Sequence, residues 1–168
     1  MDVTLIVDGA NVMGSRADGW WRDRAGAMAR LHGELAALAA RGIRGPVPGD
    51  LEAAGDADAA AGPGPAGPLE AGSAGVTEAG QDDADGRWYP EIVLVVEGRT
   101  RKVLSLVSPA HGVQVVAAEG EGDDEIAGLA SRLPGQRVVV TADRELRRRV
   151  TSTGGAVIGP GWLLRQFR

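Results

Sequence analysis

Five short apolar runs punctuate the chain, at residues 3–7, 92–96, 113–117, 138–141 and 156–158. They are rich in β-branched residues and nearly continuous, the pattern of strands buried on both faces. Between them the period changes. Met28, Leu31, Leu35 and Leu38 recur three and four residues apart and predict a helix over about 23–40. Ile126, Leu129 and Leu133 predict a second helix starting near Asp123, and Leu146 and Val150 a third starting near Asp143. Strands alternating with helices predict an α/β fold, a parallel sheet with helices on both faces.

One segment breaks the pattern. Residues 46–86 are mostly Gly, Ala and Pro, with Val47, Leu51, Leu69 and Val76 as the sizeable apolar groups. Burying so little cannot offset an ordering cost of roughly 1–2 kcal/mol per residue, so disorder is expected there. The segment contains a literal G-x-G-x-x-G at Gly62 to Gly67. Two prolines lie within it and no strand precedes it, so it is no dinucleotide fingerprint. The expected organisation is a single domain over residues 1–168, interrupted by this insertion.

The insertion also changes how the net charge of −5 is read. It holds nine acidic residues and no Lys or Arg, which leaves 14 acidic against 18 basic residues elsewhere. A mildly basic body is compatible with a polyanionic partner. With no cysteine, disulfides and thiolate metal sites are excluded, and a reducing cytoplasm fits. No basic stretch followed by an apolar run suggests a secretory signal, and no apolar run is long enough for a membrane span. Lys102 is the single lysine and no G-x-x-x-x-G-K-[ST] occurs, which excludes a P-loop NTPase. His32 on the Leu-patterned helix and His111 in a loop are both expected at the surface rather than as catalytic bases.

The carboxyl ends of parallel strands are where sites form in open α/β sheets. Here the first strand ends at Asp8-Gly9-Ala10-Asn11 and the second at Glu97. Glu119 and the run Glu121-Gly122-Asp123-Asp124-Glu125 follow the third, and Thr141-Ala142-Asp143 the fourth. Singly, Asp8 could make an Asx-turn, and Asp123 and Asp143 could cap helices. Together these accounts do not explain an acid in every such loop. Two carboxylates about 4 Å apart repel by about 4 kcal/mol at an effective dielectric near 20. A hard divalent cation, Mg²⁺ or Mn²⁺, resolves that repulsion, and an acid cluster without histidine suits metal-assisted phosphodiester hydrolysis.

The stretches VDGANVMG, GWWRDRAGA, GDDEI, VVVTADRELRRRV and GAVIGPGWLL together resemble the NYN domain in its YacP-like branch, within the PIN-like nuclease superfamily. The resemblance spans nearly everything outside the Gly/Ala/Pro segment. It implies a Rossmann-like PIN/NYN fold and a metal-dependent ribonuclease. It further implies that Asp8 and Asn11 form the DGxN pattern, that Asp123 opens a helix with Asp124 beside it, and that Asp143 is the acid of a T-x-D-R motif. Glu97 stands where relatives often carry Asp.

The resulting expectation is a cytoplasmic Mg²⁺- or Mn²⁺-dependent endoribonuclease acting on single-stranded RNA. Asp8, Asp123 and Asp143 would hold the metal with Glu97 in support, and Asp124 and Asn11 would complete the catalytic set. Arg22, Arg99, Arg144 and Arg148 are candidate RNA contacts, and Trp20 could stack on an unpaired base. A core role for one of Trp20 and Trp21, and a solvated helix face for the later arginines, are the structural alternatives. Two other functions stay open: a non-catalytic RNA-binding module of the same fold, and a metal phosphohydrolase acting on small phosphoesters.

Overall fold

A computed structural model describes residues 2–48 and 86–168. Five strands form one parallel sheet: β1 (Val3–Asp8), β4 (Glu91–Val96), β5 (Val113–Ala117), β6 (Gln136–Val140) and β7 (Ala156–Ile158), in the order β5-β4-β1-β6-β7. The predicted parallel α/β sheet is therefore the observed one. β1 lies at the centre, with Val7 beside Leu94 of β4 and Val140 of β6. After β1 the chain builds outward to β5 on one side, then returns to add β6 and β7 on the other. The reversal places a topological switch point between β1 and β6, where such sheets open a crevice at their carboxyl edge.

Strand alternation divides the core into two layers. Leu5, Val7, Ile92, Leu94, Val96, Val138 and Val140 face α1 (Gly9–Gly14), α2 (Arg24–Arg41) and α5 (Pro160–Gln166). Ile6, Val93, Val95 and Val139 face α3 (Gly122–Arg132) and α4 (Arg144–Ser152). The apolar stripe Met28, Leu31, Leu35 and Leu38 of α2 is fully buried. Asp23 caps that helix, accepting from the Gly26 N–H at 2.9 Å. His32 is buried on α2, not at the surface as expected, and desolvation lowers its pKa. His111 is exposed.

A second, two-stranded antiparallel sheet joins β2 (Ile43–Arg44) to β3 (Arg87–Trp88), closing the stem from which residues 49–85 depart. Trp88 is buried there and stacks on Trp162 of α5, with ring centroids 6.4 Å apart. Within the expected disordered segment, Val47 packs against the core and Pro48 is buried. The remainder of that segment, 49–85, lies outside the described residues. No helix among the described residues is long and apolar enough to cross a membrane.

Candidate active site

The carboxyl edge of the sheet is held together by side chains across the switch point. Asp8 ends β1 and caps α1, accepting from the Asn11 N–H at 3.2 Å. Its second oxygen accepts from Thr141 Oγ1 at 3.0 Å, at the end of β6. Asn11 Oδ1 accepts from the Ala142 N–H at 2.8 Å, so α1 is tied to the same β6 loop twice. Thr141 Oγ1 in turn accepts from the Asp143 N–H at 3.1 Å. Asp143 then caps α4 by accepting from the Leu146 N–H at 2.8 Å. Gly9 is required where α1 leaves the strand, because a Cβ there would stand 2.7 Å from the Val95 carbonyl oxygen.

A third loop approaches from β4. Glu97 follows that strand, caps the 3₁₀ stretch Gly98–Ser105 in a reciprocal box with Thr100, and accepts from the Gly122 N–H that opens α3. A Cβ at Gly122 would stand 2.7 Å from that carboxylate oxygen, so a larger residue there would push the Glu97 side chain aside. Asp123 comes next on α3 and is half-buried, whereas Asp124 is exposed and pairs with Arg149 of α4 at 3.0 Å.

Burial and neighbouring charge act on these acids in the same direction. Asp8 is only 7% exposed, and burial lifts its carboxyl from the ordinary 3.8 to about 6. The Asn11 and Thr141 hydrogen bonds oppose the rise, while the charges of Asp123 and Glu97 add to it. Asp123 is also raised, first by desolvation and then by Asp143, Glu97 and Glu121, with Arg149 opposing. Asp8, Glu97, Asp123 and Asp143 thus share one field, although they come from four separate loops. Among the described residues no group of three or more His, Asp or Glu side chains is disposed to hold a metal ion by itself.

No family model matches the chain, and no curated protein does. Among solved structures, Rae1 (YacP) from Bacillus subtilis matches with a TM-score of 0.58 at 17% identity, over 99% of this chain and 74% of that one. A tryptophan-to-leucine mutant of the same protein gives 0.56 at 18% identity, over 99% and 75%. The fold is that of YacP. At this identity the likeness is one of fold, and the chemistry rests on the side chains at the carboxyl edge of the YacP-like sheet.

Beside that edge lies a cleft of about 410 Å³, lined by Ala10, Met13, Trp20, Arg24, Glu97 to Thr100, Gly120 and Glu121. Trp20 is half-buried: it packs against the core and also lines the cleft, so it serves as anchor and wall together. Trp21 is 57% exposed and meets Trp20 edge-on at 6.2 Å. Of the candidate RNA contacts, Trp20 and Arg99 line the cleft. Arg22 does not line it and instead stands 6.0 Å from the Trp21 ring centre. Arg144 and Arg148 are exposed on α4 and are not part of the cleft.

Two site residues escaped the reading of the sequence. Arg24 lies 5.5 Å over the Trp20 ring inside the cleft, a position set by the meeting of α2 with the β4 loop and not visible in local sequence. Thr141 is fully buried and joins Asp8 to Asp143. Its signal was a hydroxyl at the end of an apolar strand, two residues before an acid, where a side chain can bond the backbone locally.

Proposed function

We propose that the protein is a Mg²⁺- or Mn²⁺-dependent endoribonuclease that hydrolyses phosphodiester bonds of single-stranded RNA in the cytoplasm. The observation that carries this reading is the shared field of Asp8, Glu97, Asp123 and Asp143 at the switch point, with Asp8 buried and lifted to about 6. Like charges gathered in this way cost stability, and their cost is offset when a divalent cation binds among them.

The reading asks for such an ion in its hydrated form. Mg²⁺ typically takes one or two carboxylates and keeps several waters, so it does not need the closed group of three acids that the described residues lack. Asp8, Asp123 and Asp143 would hold it, directly or through water, with Glu97 in support. When bound, the ion supplies an acidified water and stabilises the charge that builds on the phosphate. The chain's own residues do the rest. Thr141 and Asn11 fix the Asp8 carboxylate and the β6 loop in one register. Arg24 and Arg99 offer guanidinium donors to the phosphates of a strand that enters the cleft, and Trp20 offers an aromatic surface to its bases. Asp124, turned outward to Arg149, acts on the site through the orientation of α3 and α4.

The test is incubation of labelled single-stranded RNA with the purified protein in Mn²⁺ and in EDTA, beside Asp143→Asn. Asn caps a helix about as well as Asp, so that variant keeps the fold. Cleavage in Mn²⁺ is expected, with none in EDTA and a loss of at least about a hundredfold in the variant. Full cleavage by Asp143→Asn, or cleavage undiminished by EDTA, would overturn the reading.

A further inference from the structure

We propose that the cleft between Trp20 and the β4 loop is a subsite for a single guanine base of the RNA strand. The inference rests on the ribonuclease reading, because it places a base beside the Asp8 edge, and it adds a sequence preference to that reading. A volume of about 410 Å³ admits one nucleotide.

The chemistry of the lining selects the base. One wall is flat and cationic, made by the Trp20 ring with the Arg24 guanidinium over it at 5.5 Å. Unpaired bases stack on indole and on guanidinium planes alike. Glu97, Arg99 and Glu121 also line the cleft. Among the described residues neither Arg24 nor Arg99 forms an ion pair, so their N–H groups remain available to a ligand. Glu97 is held in place by the Gly122 N–H and by its capping box with Thr100. A carboxylate has about four acceptor positions, so the bonds from the Gly122 and Thr100 backbones leave acceptor capacity for a ligand.

A site with fixed carboxylate acceptors and free guanidinium donors suits a base that presents two adjacent donors on one edge and two acceptors on another. Guanine does so, with N1–H and N2–H₂ on its Watson–Crick edge and O6 and N7 on the major-groove side, the pair that arginine reads. Adenine and cytosine each set a ring-nitrogen acceptor beside their amino group, facing the carboxylate. Uracil places a carbonyl on both sides of its single N–H. All three would set an acceptor of their own against a carboxylate, and polar sites discriminate by such mismatches.

The test separates binding from turnover. Affinity would be measured by fluorescence anisotropy, in EDTA, for labelled oligouridine RNAs carrying one central G, A, C or U. Wild type is expected to bind the G-containing RNA at least about tenfold more tightly than the all-uridine RNA. Glu97→Gln keeps an acceptor for Gly122 and is expected to bring the four RNAs within about twofold of each other. Arg24→Ala, at an exposed position, is expected to weaken all four and to reduce the G preference, while the melting temperature confirms that both variants fold. Equal binding of the four RNAs by wild type, or an undiminished G preference in Glu97→Gln, would overturn the subsite. Cleavage in Mn²⁺ without base preference would sink the subsite and leave the nuclease standing. A G preference in a protein that never cleaves would do the reverse.

Discussion

The amino and carboxyl edges of the central sheet are closed by different chemistry. At the amino edge the backbone does most of the work. The Gln136 N–H donates to the Asp2 carbonyl at 3.1 Å, and the Ile92 N–H donates to that of Gly112 at 2.8 Å. Gly135 takes the positive φ of 76° that the turn into β6 requires. At the carboxyl edge, side chains replace the backbone: Asp8, Asn11, Thr141 and Asp143 tie the ends of β1 and β6 together. The first edge adds the Arg137 side chain, which donates to the Leu133 and Thr153 carbonyl oxygens. The second gathers acids that burial and mutual repulsion push toward protonation. One edge spends nothing on function, whereas the other gives up stability for a preorganised acidic site, a common trade in functional sites.

The largest expected effect comes from removing the buried charge. An Asp8 carboxyl raised in the fold binds more protons than the unfolded chain, so its contribution to stability falls as pH rises from about 4 through about 6. Across that window the loss for this one group is on the order of 3 kcal/mol. Asp8→Asn carries no such charge and keeps the acceptor that Asn11 needs. In EDTA the variant should therefore gain on wild type steadily between pH 4 and pH 7, ending with the higher melting temperature. It should also respond less to Mn²⁺ and lose RNA cleavage. Parallel stability profiles of the two proteins across that range, measured by urea denaturation, would remove the electrostatic contrast between the edges.

Thr141→Val tests the uncharged half of the same edge. The substitution keeps the shape and deletes the hydroxyl, leaving an Asp8 oxygen and the Asp143 N–H without their partner. A cost of about 2 kcal/mol is expected, with an Asp8 carboxyl raised further, and Thr141→Ser should recover most of both. Carboxyl titration followed by NMR would show the Asp8 resonance moving to higher pH in the valine variant alone. At the amino edge, Gly135→Ala would collide with the Asp2 carbonyl oxygen at a positive φ. It should cost about 1–2 kcal/mol while leaving RNA cleavage per folded molecule unchanged. Loss of cleavage there, at equal folded fraction, would mean that the two edges are coupled.

The sheet was legible because its strands are continuous apolar runs. The runs at 113–117 and 156–158 coincide with β5 and β7, and the other three differ at their ends by one or two residues. The helix α1 was not legible: Asp8-Gly9 reads as a turn, and six residues bounded by glycines carry no helical period. Nor were the two-residue strands β2 and β3, which exist through packing of Ile43 and Trp88 into the core. α5 opens on Pro160, a favourable first helical position, but its seven residues are too few to show a period. The acids of the site were legible from their place after each strand. Their inward or outward direction was not, since it depends on how α3 meets α4. His32 shows the same limit, because a polar residue on an apolar helix says nothing of how wide the buried face is.

Asp123 and Asp124 show that limit most closely, and they yield the smallest predicted effect. They are neighbours in sequence, yet Asp123 shares the field of Asp143 and Glu97, while Asp124 pairs with Arg149 at the surface. The Arg149 guanidinium is itself one of the groups that lower the Asp123 carboxyl. Asp124→Asn should therefore act only through that arginine. With 70% of the Asp124 side chain exposed, loss of the pair should change stability by less than about 1 kcal/mol. Cleavage should fall by no more than a few-fold, and the variant's response to Mn²⁺ should match that of wild type. Asp123→Asn, one residue earlier, should instead weaken the Mn²⁺ response and abolish cleavage. Thermal melts with and without Mn²⁺, run beside cleavage assays on both variants, would compare the pair directly. Equal losses in the two would mean that Asp124 turns inward when RNA or metal binds, and that the outward pair with Arg149 belongs to the free protein.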